Sequence, residues 1–292
     1  MNQKSKDIKD KNKTNDQTNQ RKKDVTAVYN NTDFILKRMI GDDNINNKSN
    51  QNKKTKDKVL YDLQTLFSQR QDRFWDALKE RYNYNTSIKR GQDFLFNHIN
   101  SKISLVILYV DLVGSTKMSM TLPVDKLVTI IRAFSHELSS VVESYDGFVL
   151  KYVGDAIIAF FPSGFNKYLT CDRSVQCAKS MINVINNGLN SILQKYDYPS
   201  LAIKVGIDEG DNIVVQYGYD KSSPIDLLGY SMNVTAKIMS LTGTNRISVG
   251  EDMYKLLHPK IQSEFHELSD LGDDWKYINL ENGQLYKIYS TN

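Results

Sequence analysis

The chain has 292 residues, of which 40% are hydrophobic and 25% charged, with a formal net charge of +4. That length fits one or two domains and can bury a sizeable core without disulfide staples. Two cysteines, four scattered histidines and a longest apolar run of only Leu105 to Val110 argue against disulfide-rich secreted, His-rich metal-binding and membrane-spanning classes.

The positive charge is uneven. Residues 1–58 hold 15 Lys+Arg and 8 Asp+Glu, so they carry +7; the remainder, with 23 and 26, carries −3. The basic excess therefore belongs to a Lys/Asn-rich tail, and no nucleic-acid partner is expected for the folded part. A segment so poor in apolar residues cannot offset its ordering entropy and is expected to be mostly disordered, apart from an apolar island at Val25 to Ile40. The opening Lys, Asn, Asp and Gln residues do not form a signal peptide, and Cys171 and Cys177 match no zinc or redox spacing. A cytoplasmic protein without a transmembrane segment is the expectation.

From Val59 the pattern changes. Leu60, Leu63, Phe67, Phe74 and Leu78 predict an amphipathic helix to about Tyr82, followed by a weaker one over Gln92 to Asn100; residues 59–100 read as a helical extension. Ile103 to Val110 predicts a strand buried on both faces. Leu127, Ile131, Phe134, Leu138 and Val141 mark a long helix that Gly147 ends. Phe148 to Tyr152 and Ala156 to Phe161 form a hairpin across Gly154-Asp155. A second long helix carries Ala178 to Ile192. Strands are expected at Leu201 to Ile207 and at Ile213 to Tyr217. A helix over Ser231 to Leu241, a strand at Ile247 to Val249, a helix from about Glu251 and a strand at Gln284 to Ile288 close the chain. The order predicts an α/β (α+β) sandwich over 101–292: a ferredoxin-like, palm-type βαββαβ mixed sheet with helices on one face.

Asp111 ends the first buried strand, where a carboxylate is costly unless paired or bound to a cation. Gly114, Ser115 and Thr116 follow, just before a helix, and offer N–H groups and hydroxyls that suit phosphate oxygens. Asp155 sits in the hairpin turn. In a β-α-β-β arrangement the first strand lies beside this hairpin, so the two aspartates converge at one end of the sheet. Two carboxylates with phosphate donors beside them suggest a two-metal site for phosphoryl chemistry.

Three stretches then carry a resemblance. Val110-Asp111-Leu112-Val113-Gly114-Ser115-Thr116, Lys151-Tyr152-Val153-Gly154-Asp155-Ala156 and Asp226-Leu227-Leu228-Gly229-Tyr230-Ser231-Met232-Asn233-Val234-Thr235-Ala236-Lys237 resemble, in order, three motifs of the class III nucleotidyl cyclases. The resemblance implies a catalytic domain that converts ATP to 3′,5′-cyclic AMP and pyrophosphate. It implies two Mg²⁺ or Mn²⁺ ions on Asp111 and Asp155, with the Leu112 carbonyl assisting. Asn233 would orient the ribose, and Lys237, where the family usually has Arg, would stabilise charge on the α-phosphate; i and i+4 share a helix face. Lys151 would donate to adenine N1 and Asp226 would accept from N6. A homodimer is implied too, with the metal half of each site from one protomer and the base half from its partner. A cyclase of GTP or of a pyrimidine triphosphate, and a silent nucleotide-binding or regulatory module, are the alternatives. Lys276 is the nearest candidate for the family's triphosphate-reaching lysine.

Overall fold

The structure is a computed structural model that describes residues 85–220, 222–273 and 275–292. The tail, its apolar island and the helix expected over 59–82 lie outside the described residues. The elements follow as α1 (Asn85–Phe96), β1 (Lys102–Leu112), α2 (Ser115–Thr121), α3 (Val124–Ser144), β2 (Phe148–Val153), β3 (Ala156–Pro162) and α4 (Lys167–Asn183). A π-helical turn, Val184–Leu189, runs on from α4 into α5 (Asn190–Leu193). Then come β4 (Ile203–Gln216), β5 (Ile225–Leu228), α6 (Tyr230–Leu241), β6 (Ile247–Gly250), α7 (Glu251–Leu256), α8 (Pro259–Gln262), β7 (Phe265–Glu267) and β8 (Ile288–Thr291).

One mixed sheet runs β2-β3-β1-β4-β6-β8-β7, with β5 paired to the far half of β4. Pairing is antiparallel except between β4 and β6. Strand β1 is central because both its faces are apolar. Val106, Leu108, Val110 and Leu112 point to the core formed with Phe134 and Leu138 of α3 and Val175 and Met181 of α4. Leu105 and Ile107 point the other way, onto Leu95 of α1, Val214, Ile225 and Leu227 of the β4–β5 ribbon and Met232 of α6. The long helices thus share one face, as the periodicity predicts, and shorter elements cover part of the other. Alternate side chains of a strand face opposite sides, so an unbroken apolar run needs two such covers.

Several boundaries differ from the sequence expectation, the first being the helix expected over Gln92 to Asn100, which lies at Asn85–Phe96. Helix α3 ends at Ser144, and the residue with left-handed backbone is Asp146 (φ 59°) rather than Gly147. Gly147 is needed for space: a Cβ there would come within 2.5 Å of Phe161. The two strands expected between 201 and 217 are one strand, β4. Its polar middle reads as a turn, yet every such group finds a partner. Tyr286 donates to Asp208, Ser163 and Lys167 donate to Glu209, Ser104 donates to Asp211 and Ser231 donates to Asn212. Helix α4 starts at Lys167, earlier than its apolar pattern shows, because its first turns bury the small or polar Thr170, Cys171 and Ser174. The last strand is Ile288–Thr291, with only an isolated bridge between Ile278 and Leu285 upstream.

Candidate active site

Asp111 and Asp155 converge through strand register. Val110 pairs with Ile157 across β1 and β3, which sets Asp111 opposite Ala156 and beside the β2–β3 turn. The turn is two residues long, since Val153 pairs with Ala156. Gly154 takes φ 63° there, a backbone that tight hairpins need and that glycine adopts without strain. Burial, the neighbouring Asp155 carboxylate and a hydrogen bond between the two side chains hold Asp111 above the usual carboxylate range; Lys204, opposite it on β4, pulls the other way. Among the described residues Asp155 Oδ2 is buried with no hydrogen-bond partner. Two adjacent acids, one with an orphaned oxygen, form a pair short of positive charge. A divalent cation fits this donor set. Among the described residues no third His, Cys, Asp or Glu joins them, so further ligands would be the Leu112 carbonyl, water or substrate. Leu112 itself is buried, and its N–H donates to the Asp111 carboxylate.

Gly114, with φ 76°, precedes the first turn of α2; Ser115 is half-buried and Thr116 exposed. This stretch follows Asp111 within one turn of chain, as its sequence position requires.

The second cluster is assembled by tertiary structure. Lys151 on β2 and Asp226 on β5 form an ion pair with Nζ 2.5 Å from Oδ2. Asp226 Oδ1 accepts from the Leu227 N–H at 2.9 Å. The ribbon β4–β5 is held over this face by Gln92 of α1, whose side chain both donates to the Ile225 carbonyl and accepts from its N–H. Tyr109 was not singled out by sequence, where it reads as one more residue of a buried strand. It pairs with Ile158, which pairs with Lys151, so Tyr109 and Lys151 share a rung on one sheet face. Burial and, secondarily, the Asp226 charge push its phenol up.

Asn233 and Lys237 lie on α6, one turn apart and both exposed. Among the described residues no hydrogen bond or ion pair joins them, or the Lys151–Asp226 pair, to the two aspartates. Lys276 is exposed, next to the buried Trp275 that donates to the Tyr286 carbonyl at 2.8 Å. Cys171 and Cys177 are buried, unpaired and pushed up by burial, unlike a poised nucleophile.

A family model described as adenylate and guanylate cyclase catalytic domain matches residues 98–272. Among curated proteins, a cytidylate cyclase from Staphylococcus aureus is 26% identical over 186 residues, 61% of this chain and 44% of that protein. A uridylate cyclase from Burkholderia cepacia is 25% identical over 182 residues, 61% of this chain and 77% of that protein. This chain thus spans less than half the length of the first of these relatives. Among solved structures, the adenylyl cyclase CyaB from P. aeruginosa superposes with a TM-score of 0.55 at 19% identity, covering 66% of this chain and 95% of that one. At that identity the likeness speaks for the fold.

Proposed function

The chain belongs to the adenylate and guanylate cyclase catalytic domain family, and from that premise we propose that it converts ATP to 3′,5′-cyclic AMP and pyrophosphate. The observation that carries the proposal is the Asp111–Asp155 pair, with a buried carboxylate oxygen that no group among the described residues satisfies. Asp111, Asp155 and the Leu112 carbonyl would hold two Mg²⁺ or Mn²⁺ ions. Bound there, divalent cations acidify the ribose 3′-hydroxyl and neutralise triphosphate charge. The 3′-oxygen bonds to the α-phosphorus, the α–β phosphoanhydride bond breaks, and the hydroxyl proton is released.

The chain's own residues bind and orient. Lys151 donates to adenine N1 and Asp226 accepts from the N6 amino group. Asn233 positions the ribose, and Lys237 meets charge developing on the α-phosphate. Gly114, Ser115 and Thr116 line the approach of the phosphates. A homodimer completes the site in this reading, in keeping with the absence, among the described residues, of any hydrogen bond or ion pair between the metal pair and the base pair. Exposed Ile213, Tyr217, Tyr219 and Leu228 along and beside the β4–β5 ribbon support a second copy as cover.

The test is product analysis on purified protein with Mn²⁺ and ATP, reading cyclic AMP and pyrophosphate in equal amounts. Folded protein that binds Mn²⁺ and ATP yet forms no cyclic product from any nucleoside triphosphate would overturn the assignment.

A further inference from the structure

Two buried polar side chains have no part in the reaction as described. Asp208 on β4 is 2% exposed, and Tyr286, two residues before β8, is 1% exposed, so neither reaches a substrate. A buried carboxyl and a buried phenol are costly unless they are bonded. These two are bonded to each other: the Tyr286 hydroxyl lies 3.1 and 2.9 Å from the two Asp208 oxygens. The same hydroxyl accepts from the Asp252 N–H at 2.9 Å, and Asp208 also accepts from the N–H groups of Glu209 and Met253. One contact thus ties together β4, the first turn of α7 and the run-up to β8. The space around it is full, because a Cβ on Gly250 would run into the Asp208 carboxylate.

The tie continues into α6. The Tyr286 ring meets the Tyr230 ring edge-on, with centroids 6.3 Å apart and planes at 82°. Tyr230 is the first residue of α6, and its hydroxyl donates to the Ile278 carbonyl at 2.6 Å. Tyr286 is itself held through its backbone. Its N–H donates to the Tyr277 carbonyl at 2.9 Å, and its carbonyl accepts from Trp275 Nε1 at 2.8 Å. Val234 and Ile238 of α6 pack with Trp275, Tyr286 and Ile288. On a helix, positions i, i+3 and i+7 share a face. Tyr230, Asn233 and Lys237 therefore form one stripe, with Val234 and Ile238 just beside it. The residue that starts the stripe is the one that Tyr286 braces.

Resting on the cyclase assignment above, we propose that Tyr286 and Asp208 are positioning residues for that reaction: through Tyr230 they set the place of α6, and so aim Asn233 at the ribose and Lys237 at the α-phosphate. Both of those side chains are exposed, so their aim comes from the helix that carries them. A misplacement of about 1 Å can cost about 100-fold in rate. The Tyr286 hydroxyl guards against such a shift, because moving the ring off Tyr230 would leave Asp208 and the Asp252 N–H short of a partner in a place that water does not reach.

The experiment uses the full chain, with Mn²⁺ and ATP for kinetics and with hydrogen exchange read by mass spectrometry for the helix. Tyr286→Phe keeps the ring against Tyr230 and removes only the hydroxyl. Tyr230→Phe leaves the buried pair intact and releases the Ile278 carbonyl. Amides of residues 230–241 are expected to exchange at least about threefold faster in both variants. Turnover is expected to fall about tenfold in Tyr286→Phe and about threefold in Tyr230→Phe, with KM for ATP within about twofold, because the aimed contacts tighten mainly in the transition state. In a Lys237→Ala background the Tyr286→Phe step is expected to cost less than about threefold, since one of the two aimed groups is gone. A mere loss of stability would lower turnover equally in both backgrounds, and that result would overturn the proposal. Full turnover in Tyr286→Phe would overturn it too. Should Tyr286→Phe not fold, Tyr230→Phe carries the same comparison. If the wild-type protein makes no cyclic product from any nucleoside triphosphate, the cyclase assignment falls, and hydrogen exchange still decides the brace: faster exchange in α6 upholds it and unchanged exchange overturns it.

Discussion

Among the described residues Asp155 Oδ2 lies buried without a hydrogen bond while the Asp111 carboxylate presses against the same turn. Asp155→Asn removes one of two like charges and one cation ligand. Without divalent ions the variant is expected to melt slightly higher than wild type, by the equivalent of less than about 1 kcal/mol because Asp111 is only half-buried. Mn²⁺ should raise the wild-type melting temperature and leave the variant unmoved, since stabilisation follows binding to the native state. Turnover should fall at least about 100-fold. Thermal melts with and without Mn²⁺, alongside product assays, check all three. Lys237, exposed on α6, makes a second case. Arg carries a planar two-pronged donor where Lys carries one compact charge. Lys237→Arg is expected to raise turnover with little change in apparent ATP affinity, and Lys237→Ala to lower it about 5- to 150-fold. Steady-state kinetics at saturating Mn²⁺ decide this; equal rates for wild type and Lys237→Ala would remove Lys237 from the reaction.

At the scale of elements, α6 is seated by a close approach to β4. A Cβ on Gly206 would lie 2.5 Å from the Met239 backbone nitrogen and 2.7 Å from its Cα. Backbone cannot swing aside as a side chain can, so Gly206→Ala must lift the helix. A loss of about 1–3 kcal/mol in chemical denaturation is expected, together with weaker activity because Asn233 and Lys237 ride on α6. Beside this contact, Asp208 is fully buried and accepts from the Tyr286 hydroxyl, with 3.1 and 2.9 Å to its two oxygens. Burial holds its carboxyl well above the usual range, against the donors from Tyr286 and the Glu209 and Met253 N–H groups. The folded state therefore keeps this proton to higher pH than the unfolded chain. The stability it contributes is full below the ordinary aspartate range and declines as pH rises from about 4 towards the raised folded value. Asp208→Asn should flatten that decline, read as melting temperature against pH for the two proteins. Parallel curves would show that Asp208 does not hold its proton there.

The whole molecule raises a different question, because among the described residues no hydrogen bond or ion pair joins the two halves of the proposed site. Asp111→Ala breaks the metal half and Asn233→Ala the ribose half. Each protein alone is expected to be inactive, and a mixture to regain part of the wild-type rate, since a mixed dimer holds one intact site. Exchange between dimers is followed independently by native mass spectrometry. Verified mixed dimers without recovered activity would mean that each protomer builds its own site. Among the described residues no helix is long and apolar enough to cross a membrane, so the exposed apolar residues of the β4–β5 ribbon are not part of a spanning helix.

What the sequence determined alone is what depends on neighbours along the chain. The double-sided apolar run of β1, the i, i+4 spacing of Asn233 and Lys237, and the Gly154-Asp155 turn are all local patterns, and the structure keeps them. Asp111 and Asp155 were legible for the same reason, since one marks a strand end and the other a turn. The link between Lys151 and Asp226, 75 residues apart, was readable only through likeness to a family. The continuity of β4 was not readable at all. Asp208 to Asn212 look like a turn until Tyr286, Ser163, Lys167, Ser104 and Ser231 arrive from elsewhere to satisfy them. Tyr109 likewise became a neighbour of Lys151 only when β3 and β2 were laid beside β1. Local sequence sets backbone preference and apolar period, whereas the partners that make a buried charge tolerable come from distant segments that only the folded sheet brings together.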